Sequence, residues 1–208
     1  MAEMTIGVLA LQGDFQKHKE MLEWLGCRAI EVRKPEELQA CEGLIIPGGE
    51  STTILRQIDF IHLREALIQF GRTKPMFGTC AGLIILAQEV YPEKLASLAL
   101  IDIVVERNAY GRQADSFSTE IEVCLENVHL KKYPAVFIRA PRIRHCGKEV
   151  DILAKYEGEP VLIRQGSFLG ATFHPELSDD SAIHSFFLDL VRKNRRKLAS
   201  AQKEQQKS

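Results

Sequence analysis

The sequence predicts an α/β fold: three layers, with a mostly parallel central sheet, helices on both faces and additional antiparallel strands in the second half. Three observations carry that expectation. Residues 5–11 form a continuous apolar run, the mark of a strand buried on both faces. As far as Val90, strand-like runs alternate with helical periodicity across short connections, which is how parallel βαβ units read. Beyond Leu98 the rhythm changes to short strands separated by turn residues, as antiparallel pairing requires.

The elements follow in order. After the strand at 5–11, residues 14–26 place Phe15, His18, Met21, Leu22 and Leu25 at helical spacing, and Gly26 suits the C-cap. A second strand at 29–32 leads to a short helix opened by proline, Pro35-Glu36-Glu37-Leu38. The third strand, 43–46, is stopped by Pro47-Gly48-Gly49. Residues 51–70 read as a helix broken near Asp59, 74–77 as a fourth strand, and 81–90 as a return to an apolar helical pattern. Strands are then expected at 98–105, 120–125, 135–139, 152–156, 161–164 and 168–173, with a closing helix at 181–197. No repeat, low-complexity tract or linker intervenes, so residues 1–191 read as one domain.

Bulk properties narrow the function classes. The 208 residues are 45% hydrophobic and 26% charged with a net charge of -1, which favours neither nucleic acid nor an anionic membrane as the main partner. Five cysteines, at 27, 41, 80, 124 and 146, form no C-x-x-C pair and no metal-like cluster; they read as reduced thiols in the cytoplasm. The start, MAEMTIGVLALQGDF, carries an acid and no basic flank, so it reads as a first strand rather than a signal peptide or membrane span. Residues 192–208 are the one composition shift: seven Lys/Arg against one Glu, a net +6 that leaves about -7 for the rest. This basic C-terminal tail reads as a solvated extension of the last helix, with a docking surface for an acidic partner as the sharper alternative.

Three segments carry chemistry. FGTCAG, at 77–82, follows the fourth strand, and ligands of parallel sheets sit at such strand ends. Its G-x-C-x-G pattern is that of a nucleophile elbow: Gly78 and Gly82 let strand and helix approach closely, so that Cys80 protrudes. A helix N-terminus beside the thiol favours thiolate, and the N–H of Ala81 can stabilise an oxyanion. FHPEL, at 173–177, supplies a base in His174 and an orienting carboxylate in Glu176, with Pro175 restricting the backbone between them. PGGES, at 47–51, ends a neighbouring strand. Gly48-Gly49 can turn N–H groups towards an oxyanion, while Glu50 and Ser51 can either bind a polar ligand or cap the next helix.

Together these segments resemble the triad, or class I, glutamine amidotransferases, whose fold is flavodoxin-like. GVLALQGDF, IIPGGESTT, KPMFGTCAGLIILA, VVERNAYGRQADSF, VFIRAP and FLGATFHPEL resemble, in order and over nearly the whole chain, the glutaminase subunits of pyridoxal 5′-phosphate synthase (the PdxT/Pdx2 family). The resemblance implies hydrolysis of L-glutamine to L-glutamate and ammonia by Cys80, His174 and Glu176, with no cofactor and no metal. It implies glutamine contacts at Gly49, Glu50, Ser51, Arg107, Ile138 and Arg139, an oxyanion site at Gly49 and Ala81, and a partner contact at Gln12. The implied partner is a pyridoxal 5′-phosphate synthase subunit of PdxS/Pdx1 type, which takes the ammonia for vitamin B6 synthesis and without which the glutaminase is weak. A glutaminase subunit of another amidotransferase, such as imidazole glycerol phosphate synthase, is the alternative. The segment 141–146 is more basic than that resemblance leads one to expect. It reads as surface loop, leaving open whether His145 or Cys146 modulates substrate entry.

Overall fold

The computed structural model describes residues 3–107, 116–126 and 128–205. The chain runs β1 (Thr5–Leu9), α1 (Phe15–Trp24), β2 (Arg28–Val32), a 3-10 turn (Pro35–Ala40), β3 (Gly43–Ile46), α2 (Ser51–Phe60), α3 (Arg64–Thr73), β4 (Met76–Thr79) and α4 (Ala81–Leu86). It continues through β5 (Ala87–Tyr91), β6 (Ile101–Glu106), β7 (Ser116–Leu125), β8 (Val128–Ile138), β9 (Arg142–Cys146), β10 (Asp151–Tyr156), β11 (Glu159–Gln165) and β12 (Phe168–Ala171). A second 3-10 turn (Pro175–Leu177) and α5 (Ala182–Gln205) close it. The central sheet has the order β2-β1-β3-β4-β12-β11-β10-β7-β8, and a small sheet has the order β5-β6-β9. Strands β2 to β12 in that order pair parallel, and the pairs from β12 outwards to β8 are antiparallel.

The pleat explains the layers. Alternate residues of a strand face opposite sides. Ile6, Val8, Ile45 and Phe77 join Leu22 of α1 and Phe186, Phe187 and Val191 of α5 on one face. Leu44, Ile46 and Met76 join α2, α3, α4 and the small sheet on the other. Both faces are therefore apolar, which is why the central strands are continuous hydrophobic runs.

Three expectations need correction. The apolar pattern at 81–90 is not one helix: α4 stops at Leu86, and 87–91 form β5, parallel to β6. In β5 Ala87 and Val90 are buried while Gln88 and Glu89 are exposed, a sheet-edge pattern set by a partner strand beyond the next loop. The segment at 141–146 is not a loop either. It contains β9, which pairs with β6 and places Cys146 opposite Ile103. Its outward Arg144 is satisfied by Glu106 and Glu159, so the basic character belongs to an ion-pair network. Neither His145 nor Cys146 lines the cleft described below. Finally, the strands expected at 120–125 and 135–139 are parts of a longer hairpin, β7–β8.

Candidate active site

The loops after β1, β3 and β4 meet where successive connections leave the sheet in opposite directions, the place where parallel sheets form a crevice. Cys80 sits between β4 and α4 with φ 49° and ψ -104°. Such angles belong to the first central position of a type II′ turn, normally glycine's place, and holding a cysteine there costs about 1–3 kcal/mol. The surroundings enforce it. A Cβ on Gly78 would lie 2.6 Å from the Gly82 backbone, and one on Gly82 would lie 1.9 Å from the Ile46 carbonyl oxygen. Strand and helix thus touch backbone to backbone, and the turn between them has no room to relax. The Cys80 N–H donates to the Ala171 carbonyl at 2.8 Å, and its Sγ lies 3.7 Å from the Ile138 carbonyl.

The structure brings His174 and Glu176 to that sulfur. The His174 N–H donates to the Val136 carbonyl, tying the segment after β12 to β8, and Pro175 opens the 3-10 turn that carries Glu176. Nδ1 of His174 is 2.7 Å from Oε1 of Glu176, which leaves Nε2 as the ring nitrogen available to the Cys80 sulfur, with which His174 lines one cleft. Burial works to lower the pKa of His174, but Cys80 and Glu176 outweigh it and push the imidazole up to about 10. Burial likewise works to raise Glu176; the neighbouring His18 ring and the hydrogen bond to His174 outweigh it and keep the carboxyl below its ordinary range. An imidazole biased in this way towards its protonated form is suited to deliver a proton to a leaving group.

The cleft in front of the sulfur encloses about 200 Å³. That is below the ~300–1,000 Å³ of drug-sized pockets and suits a ligand the size of one amino acid. Gly49, Glu50, Ser51, Arg107, Ile138 and Arg139, all singled out from the sequence, line it with Cys80 and His174. Arg107 pairs with Glu50 at 3.2 Å and with Glu93 at 3.1 Å, and Arg139 sits at a positive φ of 41° directly after β8. Glu50 does cap the next helix: its Oε1 accepts the Thr52 N–H, and the same oxygen meets Arg107. Ala81 is buried at the first position of α4, where N–H groups have no partner within the helix. Of the motif around Arg107, residues 108–115 lie outside the described residues.

Gln12 does not line the cleft but braces it, accepting the Glu50 N–H at 2.9 Å. Gly49 has φ 147°, closed to other residues without strain. Sequence reasoning gave too little weight to two neighbours. A Cβ on Gly13 would lie 1.7 Å from the Gly48 carbonyl oxygen, and one on Gly48 would lie 2.3 Å from Cε1 of His174. It also missed the groups behind Glu176. His18, Thr79 and His184 are completely buried there, and the one signal was a histidine on the apolar stripe of the first predicted helix. Among the described residues no group of His, Cys, Asp and Glu is arranged to hold a metal ion.

Comparison with known proteins agrees with this geometry. The family model described as the SNO glutamine amidotransferase family matches residues 8–193. The chain is 52% identical to the pyridoxal 5′-phosphate synthase subunit PdxT of Thermosipho africanus, over 91% of this chain and 100% of that protein. It is also 52% identical to the PdxT protein of Solibacter usitatus, over 88% and 97%. A solved structure described as a glutamine amidotransferase superposes with a TM-score of 0.83 at 46% identity, covering 89% of this chain and 98% of the other. A glutamine amidotransferase from Thermotoga maritima shares the fold at 12% identity and a TM-score of 0.60, covering 99% of this chain and 93% of the other. With its elbow thiol, its paired imidazole and carboxylate and this match over most of its length, the chain belongs to the SNO glutamine amidotransferase family.

Proposed function

We propose that the chain is the glutaminase subunit of a pyridoxal 5′-phosphate synthase, working in the cytoplasm through Cys80, His174 and Glu176. The carrying observation is His174, bonded through Nδ1 to the Glu176 carboxylate at 2.7 Å and lining with the Cys80 sulfur a cleft that also holds two arginines. Arg107 and Arg139 offer paired donors for the α-carboxylate of glutamine, and Glu50 offers a counter-charge for its ammonium. The Cys80 sulfur attacks the side-chain amide carbon. Negative charge passes to the carbonyl oxygen, faced by N–H groups of Ala81 and the Gly49 loop. His174 gives its proton to the amide nitrogen, ammonia leaves, and a γ-glutamyl thioester remains. Neutral His174 then takes a proton from water as the water oxygen attacks the thioester; glutamate departs and the starting charges return.

The relatives named as synthase subunits support delivery of ammonia to a synthase partner. Residues 1–191 serve as the glutaminase domain and 192–208 as its basic tail. No helix of the described residues is long and apolar enough to cross a membrane. Glutamate release, measured with and without a pyridoxal 5′-phosphate synthase partner, tests this reading. Turnover should be low for the chain alone, rise with the synthase and vanish in Cys80→Ala. Stimulation by an imidazole glycerol phosphate synthase instead would point to the other amidotransferase.

A further inference from the structure

Behind Glu176 lies a buried polar chain that the three-residue mechanism does not use. His18 of α1 and His184 of α5 are both fully buried, with His18 Nδ1 2.9 Å from His184 Nε2. His18 Nε2 hydrogen-bonds Thr79 Oγ1 at 3.2 Å, one residue before the nucleophile, and lies 3.3 Å from Glu176 Oε2. Apart from that approach the oxygen has no hydrogen-bond partner among the described residues, and His184 Nδ1 has none either. The titratable groups around His18 are Glu176 and His174 in front, His184 from α5, and Asp14 at the start of its own helix.

One tautomer satisfies this chain. Glu176 is a carboxylate and only accepts, so a bare Nε2 on His18 would set a lone pair against it where both groups are buried. Nε2 therefore carries the hydrogen, given to Thr79 Oγ1, and the positive end of its dipole stands 3.3 Å from Glu176 Oε2. Burial disfavours a charge on His18, and in the neutral ring Nδ1 is bare and accepts from the Nε2–H of His184. His184 is left with a bare, unpaired Nδ1, a smaller penalty than a stranded N–H. A tie between α1 and α5 alone would be served by either direction of these bonds; the carboxylate selects one. The N–H dipoles then all point towards Glu176 without adding a full positive charge, which would compete with His174 for the carboxylate.

We propose that His18, backed by His184 and anchored on Thr79, is a positioning residue for Glu176: a neutral ring that holds Oε2 so that Oε1 stays aimed at His174. This rests on the roles given above to Cys80, His174 and Glu176. The test is glutamate release by the full chain, with and without the synthase partner, across pH. His18→Leu should lower kcat roughly 10–100-fold, as loss of such supporting groups does, with little change in KM. Its acid limb should move to higher pH, because the carboxylate has lost the N–H dipole that faces it. His18→Gln, whose amide N–H reaches the place of Nε2, should recover most of the rate. Unchanged kcat and acid limb in His18→Leu would overturn the proposal, as would equal impairment in both variants. Nitrogen NMR of the histidine side chains needs no variant: His18 and His184 should both be neutral Nε2–H forms at pH 7, and an Nδ1–H form of His18 would end the idea. Cys80→Ala separates the two levels. Release that survives it would sink the triad itself; release that needs Cys80 but ignores His18 would sink this inference alone.

Discussion

At Gly48 an added methyl group would meet the His174 ring, so the bare loop and the ring's position form a single requirement. Gly48→Ala should therefore fold but displace the imidazole, and a shift near 1 Å costs about 100-fold in rate. Comparing kcat with the melting temperature checks this, since the rate should fall far more than the stability. The three reacting residues should differ in severity. Cys80→Ala and His174→Asn should each reduce kcat to near background. Glu176→Gln should retain roughly 10–100 times more rate than either, because it disturbs orientation and charge but leaves a base in place. Gly82→Ala is a different kind of lesion. Its methyl group would strike the Ile46 carbonyl, backbone against backbone, and should cost about 1–3 kcal/mol or more in urea unfolding.

Helices α1 and α5 face each other through His18 and His184, and this makes stability depend on pH. Burial lowers both pKa values, to about 3 for His184. The unfolded chain binds protons below about 6.5 while the folded one refuses them, so stability is full above that pH and falls as acid is added. For His184 alone the loss should reach roughly 2 kcal/mol at pH 5. His184→Phe should flatten the melting curve between pH 7 and 5, and an unchanged slope would contradict the buried neutral pair. His174 acts in the opposite direction: its contribution is complete below about 6.5 and is lost as pH rises through about 10. The same elements show what a sequence discloses. Cys80, His174 and Gly49 were legible because each stands at a strand end marked by glycine or proline, where local geometry and chemistry coincide. The strand β5 was not, because LAQEV is apolar enough for helix or strand and its pairing with β6 is decided by distant residues. His18 could be placed on a buried helix face, but its partners come from β4, the turn after β12 and α5. No spacing along the chain announces them.

Across the molecule, the site draws on both halves of the sheet. The parallel half provides the loops after β1, β3 and β4, and the antiparallel half brings Ile138 and Arg139 from the end of β8. The first turns of the basic tail are tied to this body: Asn194 reaches the Thr73 carbonyl, Arg195 pairs with Glu42 and Lys193 with Glu126. Residues 197–201 are exposed. Truncation after Leu198 should then leave the melting temperature and glutaminase rate nearly unchanged, whereas truncation after Val191 should destabilise the chain. The turn at Cys80 has a cost that the whole chain bears. Glycine adopts φ 49°, ψ -104° freely, and the gain should exceed its extra loss of freedom on folding. Cys80→Gly should consequently outlast Cys80→Ala against denaturant by about 1 kcal/mol. Selection for sturdiness alone would erase the sulfur, and the protein keeps it only where turnover matters more than endurance.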